Sequence, residues 1–500
     1  MRNNKCSIRA FILLMKSIFV YIALIVGTLS ALCSCSDDED FSTSTSDLLT
    51  FSADTVRFDT VFSTVTSSTQ SFWIHNNSGR SIRCTNVRLE NGNQSGFRVN
   101  VDGASLGSSD GYQVGNIEVR SGDSARVFVK ITSPKANRVE PKHITDNLVF
   151  LLESGVQQKV NLDAFSWDAV FLKNRHIDND TTITSEQPIV VYGTMVVGKN
   201  ATLTISPGTT MYFHSDAGID VEGRLICKGT AEQDITLRGD RLDNMFDSLP
   251  YDYVSGQWQG MHIKEESYGN IISFTDLHGA FNGLQIDSSD VSRETLDLQN
   301  STIHNCQGTA LYVENSKVSI TNCQLSNALG NCLYVNGGDV SVNNCTLAQF
   351  YPFDSSRGSA LRFSGIDHPL KSFTCTNTLV TGYASDELTG EKPSEDNANE
   401  FNFDFKNCII RTPKVETDDS VHFVSVEFED PEDTTATGTK HFAKIDTDNL
   451  RYDFHLQATS AAVDKADPAT SSANDRDGFV RDERPDIGAF EYRAEEKTEE

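Results

Sequence analysis

Positive charge is scarce in this sequence. Its 42 lysines and arginines face 70 aspartates and glutamates, a formal net charge of −28. Such a surface repels phosphate backbones and anionic lipid headgroups, which argues against DNA and RNA as partners. It would also repel a polyuronate unless bound cations intervened. Missing too is any Cys-x-x-Cys pair with zinc-ligand spacing among the 11 cysteines, so no metal is expected from that motif. No EF-hand-like spacing occurs, so Ca²⁺ has acids to bind but no motif behind it, and no cofactor is implied. A clean bilayer span is lacking as well. The stretch Phe11–Leu32 reaches the required length of about 20 residues only by burying Lys16.

What the N-terminus does contain is an export pattern. Arg2, Lys5, Arg9 and Lys16 come first with no acids, then an apolar run from Ile18 to Leu29, then small residues before a cysteine. Leu32-Cys33-Ser34-Cys35 resembles a bacterial lipobox, which implies lipidation of Cys35 and anchoring in a membrane. A plain signal peptide and a membrane helix are left as the alternatives to a lipoprotein signal. Ser36-Asp-Asp-Glu-Asp40 resembles the acidic tag that sends lipoproteins of Gram-negative gut anaerobes to the outer leaflet. The resemblance implies an outer-membrane, surface-exposed protein. The Ser/Thr-rich Phe41–Asp47 reads as a flexible tether.

Residues 49 to 168 alternate apolar and polar with period two, as in Phe97/Val99/Val101, Val127/Val129/Ile131 and Val160/Leu162/Ala164. Seven or more such runs, separated by Gly, Asn and Ser clusters, predict an antiparallel β-sandwich. It resembles the immunoglobulin-like spacers of surface lipoproteins, and nothing in it has catalytic spacing.

The character then changes. Gly193–Val197 is echoed by Gly223–Cys227 thirty residues later, with Leu203–Gly208 between them. This phrasing, and Gln257-Trp-Gln-Gly-Met-His-Ile263, resembles the pectin-lyase-like β-helix superfamily. An internal repeat points the same way. Leu296–Asn300 recurs as Val318–Asn322 and Val340–Asn344, and more loosely as Phe373–Asn377 and Phe403–Asn407. A second phrase accompanies it: Leu284–Ile286, Leu311–Val313, Leu333–Val335 and Leu361–Phe363.

Coils of this kind stack equivalent residues at the strand spacing of about 4.8 Å. Asn300, Asn322, Asn344, Asn377 and Asn407 are therefore expected to form a ladder at one turn. Asparagine tolerates the left-handed conformation there, and its amide can bond the copies above and below. Cys323, Cys345 and Cys408, each one residue later, read as stacked core thiols rather than a metal or redox cluster. The fold expected is thus all-β: an antiparallel sandwich, then a right-handed parallel β-helix of roughly ten coils with a C-terminal cap. The polar loop Asp386–Glu400 reads as disordered.

The boundaries expected are a signal peptide over 1–34, a tether over 35–48, the sandwich over 49–168 and a linker and N-cap over 169–188. The β-helix follows over 189–453, then a capping segment over 454–492 and a disordered tail over 493–500. Pro485–Tyr492 resembles the closing phrase of exported β-helix proteins, placed to hide the last open strand edge.

Enzymes of the resembled superfamily cleave pectin and related polymers. Their hydrolases carry Asn-x-Asp, Asp-Asp, Gly-His-Gly and Arg-x-Lys on neighbouring coils, and this β-helix region has no Gly-His-Gly and no Arg-x-Lys. Leu277 stands before His278, and Asp418-Asp419 has no partners in sequence. No carboxylate cluster beside a basic group is visible either, so no catalytic residues are assigned.

One constellation does stand out. In the second phrase the middle residue must face outward, which lines up His262, Gln285, Tyr312, Tyr334 and Arg362. Tyr rings offer flat apolar faces to a sugar and keep a polar tip, and one residue per coil matches the length of a sugar ring. The same tyrosines could instead stack simply to stabilise the sheet. His262 and Arg362 would stand roughly 19 Å apart, four strand spacings, too far to act on one bond. The leading expectation is a surface lipoprotein that binds a polysaccharide or another surface ligand without catalysis. The alternative is a polysaccharide lyase or glycoside hydrolase with an atypical site.

Overall fold

The computed structural model describes residues 40–246, 248–430 and 438–494. The signal peptide, Cys35 and the acidic stretch before Asp40 lie outside these residues, as do 495–500. The chain divides into two compact units. One holds Thr69–Lys130 and Thr145–Leu162 with the described residues up to Val56; the other holds Arg57–Ser68, Ile131–Ile144 and everything from Asp163 onward.

Two antiparallel sheets, of five and six strands, occupy the N-terminal part. Period-two patterning sets their faces. In Ser124–Ile131 the residues Ala125, Val127, Val129 and Ile131 are buried and the ones between are not. Phe51 of one sheet meets Phe150 of the other, ring centroids 5.1 Å apart, so the inner faces share a core. The stretch expected as a flexible tether is not free. Phe41 lies 3.7 Å beneath the Arg83 guanidinium. The Ser42 amide donates to Ser81 O, and its hydroxyl donates to Asp47. An aromatic anchor and a closed local turn outweigh the polar composition.

From Val170 to Glu429 the coil strands are parallel, while two short pairs beside them, Asn244–Phe246 with Leu249–Pro250 and Phe442–Asp446 with Arg451–Leu456, are antiparallel. An 11-stranded sheet runs from Val170–Lys173 to Glu427–Glu429, and a 17-stranded sheet takes two strands, or one long bent strand, from each coil. Residues 169–188, expected as a linker and N-cap, form a first coil: Val170–Lys173, His176–Ile177 and Thr181–Ile183 pair in register with the next turn. Alternate side chains fill the interior as columns, such as Leu284, Leu311, Leu333 and Leu361, all fully buried. Each such side chain contributes roughly 1.5–3 kcal/mol by leaving water. The eight described cysteines are buried and unbridged. The Cys375 and Cys408 sulfurs lie 4.0 Å apart, contact rather than bonding distance, and burial pushes the Cys227 thiol up to about 12.

All five ladder asparagines are left-handed, with φ between 44° and 53°. Backbone bonds tie them to the coil above, Asn300 N to Thr321 O and Asn322 N to Asn343 O. Their amides do not bond one another among the described residues. Four of them hold a segment from much later in the chain. Asn300 Nδ2 donates to Asp475 O and Asn322 Nδ2 to Asn474 O, Asn344 Oδ1 accepts from Ser472 N, and Asn377 Oδ1 accepts from Asp467 N. The closing segment, expected as a cap over the end, therefore runs along the flank of the coils, opposite in direction to their stacking. The Asp386–Glu400 loop is also ordered where disorder was expected. Leu388–Glu391 pairs with Leu361–Ser364. The fully buried Glu387 accepts the N–H groups of Ala360 and Ala384.

Candidate functional site

Two outward surfaces of the β-helix carry chemistry. The first is the strip. Register pairs His262 with Gln285, Gln285 with Tyr312, Tyr312 with Tyr334 and Tyr334 with Arg362. All five are half-buried. The Tyr312 and Tyr334 rings are 5.2 Å apart and tilted by 55°, and the Arg362 guanidinium sits 4.4 Å over Tyr334. Glu391 grips Arg362 through Oε1 and Oε2 at 2.8 and 3.2 Å. His262 Nε2 meets Asp287 at 2.5 Å and its Nδ1 meets Lys264 at 2.6 Å. Two residues further along these strands lie Lys264, Asp287, Glu314, Asn336 and Ser364, with Glu391 beside Ser364 on the next coil; Asn336 and Ser364 are buried. Asn336 Nδ2 donates to the Tyr312 hydroxyl at 3.3 Å.

The second surface was missed from sequence. In the strands Thr275–His278 and Thr302–Cys306 the inward Leu277 and Ile303 force their neighbours outward, and register sets Asp276 beside Thr302 and His278 beside His304. Asp276 Oδ1 then meets His278 Nδ1 at 2.8 Å and His304 Nε2 at 3.2 Å. His278 Nε2 meets Asp252 at 2.9 Å, and Asp252 is paired to Arg238 at 2.6 Å. Trp258, fully buried against Phe213 at 4.3 Å, donates its indole N–H to His278 O. Its neighbour in the same phrase must be glycine: Gly260 has φ +89°, and a Cβ there would fall 1.7 Å from Asn282 O.

Asp276 and His304 form part of the wall of a cleft of about 280 Å³. Asp453 and, from the closing segment, His455, Arg476 and Asp477 supply another wall. Arg476 reaches Asp234 at 2.7 Å and Thr302 at 3.1 Å, and His455 bridges Asp453 and Asp477 at 2.5 and 2.8 Å. Burial alone would push His278 down, but the flanking Asp276 and Asp252 carboxylates outweigh it and raise the imidazole to about 9. Burial raises Asp276, and the two histidines more than reverse this, holding it well below the usual carboxylate range. His455 is likewise raised to about 9 against burial by Asp453 and Asp477. Carboxylates and basic groups thus converge at one level of the β-helix. The sequence signal was Asp276-Leu-His278 standing 26 residues before Thr302-Ile-His304. It is readable only once the coil register is known, and the closing segment's share has no local signal at all.

Residues 158–347 match the family model described as the right handed beta helix region. No curated protein matches the chain. Among solved structures, the pectate lyase Pel9A is 12% identical, with a TM-score of 0.29 over 65% of this chain and 88% of that one. The catalytic unit of a thermostable GH87 α-1,3-glucanase from Streptomyces thermodiastaticus strain HF3-3 is 11% identical, with a TM-score of 0.26 over 71% and 76%. A family 123 glycoside hydrolase from Clostridium perfringens, studied for glycolipid glycan hydrolysis, is 9% identical with a TM-score of 0.18. In that last comparison the chain spans only 26% of the other protein's length. Parallel strand order, coil register and the family match agree: this chain carries a right-handed parallel β-helix.

Proposed function

We propose that the chain is a surface lipoprotein, lipidated at Cys35 and held in the outer membrane, that binds an extended polysaccharide along the strip without cleaving it. The observation that carries this reading is the unbroken register of His262, Gln285, Tyr312, Tyr334 and Arg362. One side chain per coil at about 4.8 Å matches a repeating ligand of similar pitch. Hydroxyl groups of a sugar find acceptors in the half-buried Asp287, Glu314 and Glu391 of the adjoining column. That column is rich in carboxylates, so the ligand class is a neutral glycan rather than a polyuronate.

A glycan panel presented to the purified mature protein tests the reading. Binding without new reducing ends or unsaturated-product absorbance is expected. Replacing both Tyr312 and Tyr334 by Ala should weaken it about 10- to 100-fold, as loss of two stacking rings implies. Undiminished binding in the double variant would remove the strip from the interaction. The second reading, a lyase or hydrolase, draws on the cleft where Asp276, His304, Asp453, His455 and Arg476 converge. Product release from any glycan would favour it.

A further inference from the structure

We infer that Asp276, His278 and His304 form a binding site for a divalent transition-metal ion, with the probe ion Zn²⁺ held by one carboxylate and two imidazoles. The three ligand atoms all lie within 4.8 Å of one another. A tetrahedral zinc with bonds of about 2.0–2.1 Å separates its ligands by roughly 3.3–3.4 Å. His304 Nε2 is already 3.2 Å from Asp276 Oδ1 and His278 Nδ1 is 2.8 Å from it, so two of the three ligand pairs stand near that separation, and the two imidazole nitrogens lie within 4.8 Å of each other.

The surroundings are those of a metal ligand as well. His278 offers Nδ1 to the site and gives its other ring N–H to Asp252, which Arg238 holds in turn. A ligating imidazole whose second nitrogen donates to a carboxylate is fixed in tautomer and orientation. Trp258 fixes the strand itself through the His278 carbonyl. Neighbouring positive charge is already neutralised, because Arg476 is paired with Asp234 and Asp477.

A separate observation comes from the same cleft. Asn327, which lies in its lining, is only 2% exposed, and its Oδ1 has no hydrogen-bond partner. An unsatisfied buried acceptor is costly unless something fills the cleft beside it. Three protein ligands and an open fourth position facing a cleft describe a site that could take water or a substrate oxygen. The mixed nitrogen and oxygen donors select a first-row divalent ion such as Zn²⁺ over Ca²⁺ or Mg²⁺. This inference stands apart from the glycan reading, since the strip lies on the other sheet.

The experiment is Zn²⁺ titration by calorimetry on chelator-treated, purified mature protein, with Co²⁺ absorption as a second readout of coordination. One Zn²⁺ per chain with micromolar or tighter affinity is expected, with Co²⁺ bands of tetrahedral intensity. Asp276→Asn and His304→Ala should each weaken binding at least about 100-fold, and Asp252→Asn about 10- to 100-fold. Lys264→Ala, beside the His262 cluster on the other sheet, should leave it unchanged. Thermal melts guard against misfolding: Zn²⁺ should raise the wild-type melting temperature and leave that of the folded His304→Ala variant unmoved, and His304→Cys should restore the rise. No saturable Zn²⁺ binding by the wild type, octahedral Co²⁺ spectra, or binding that survives both Asp276→Asn and His304→Ala would overturn the assignment.

Discussion

Asn322 does two jobs with one side chain. Its backbone is left-handed, φ 53°, where asparagine is tolerated and alanine is strained. Its amide donates to Asn474 O at 2.7 Å and accepts from Ser472 Oγ at 2.7 Å and Arg481 Nη2 at 3.3 Å. Asn322→Ala is expected to cost about 3–4 kcal/mol, from roughly 1–2 of strain and about 1 for each of the two strong bonds lost. Asn322→Gly should recover the strain share alone, and chemical denaturation of the two variants separates the terms. The ladder's positions were legible because one residue type recurs at one turn. Its partners were not, because they come from 150 to 159 residues away. The same holds for His455. Its pKa is raised to about 9 by Asp453 and Asp477, so the stability it lends is complete below about pH 6.5 and is lost as pH rises through about 9. The melting-temperature gap between wild type and His455→Gln should close over that window, and the ring proton shifts of His455 should titrate near its upper end.

Alternation made the sandwich strands legible, and the coils were legible through phrases that recur from Gly193–Val197 to Phe403–Asn407. Leu388–Glu391 was not. Its surroundings are polar, and composition alone points to disorder. What decides the matter is a parallel pairing to Leu361–Ser364 together with Glu387, whose carboxylate is fully buried against two backbone N–H groups. Glu387→Ala leaves those donors unpaired, at about 1–3 kcal/mol each. Hydrogen exchange of residues 388–391 should accelerate accordingly, with the sheet core unchanged. Burial raises the Glu387 carboxyl to about 7, so the neutral acid suits the fold better than the anion. Its contribution is present in full below about pH 4.5 and is lost as pH rises through about 7. Protection of the strand, corrected for intrinsic rates, should fall over that window. The cleft escaped sequence reading for a related reason. Asp276 and His278 are ordinary outward residues until the next coil supplies His304 and the closing segment supplies Arg476.

In the molecule as a whole, stacked coils touch mainly their immediate neighbours, and such arrays tend to open piecemeal. The closing segment changes that. Between Asp467 and Arg476 it bonds to Asn377, Asn344, Asn322, Asn300 and Thr302 in turn, coil after coil. Its Ile487, Ala489 and Phe490 share a second core with Leu379 and Ile409 on the outer side of the 11-stranded sheet. Removing residues 467–494 should broaden the unfolding transition and lower its denaturant slope, because coils once tied together would open independently.

The order of events in time follows from where that segment sits. Every coil precedes it in the chain, so a ribosome releases the whole stack before the piece that fastens it. Until then each turn leans only on its immediate neighbours. Afterwards the same turns are tied as one body, a clasp that shuts only when synthesis is over.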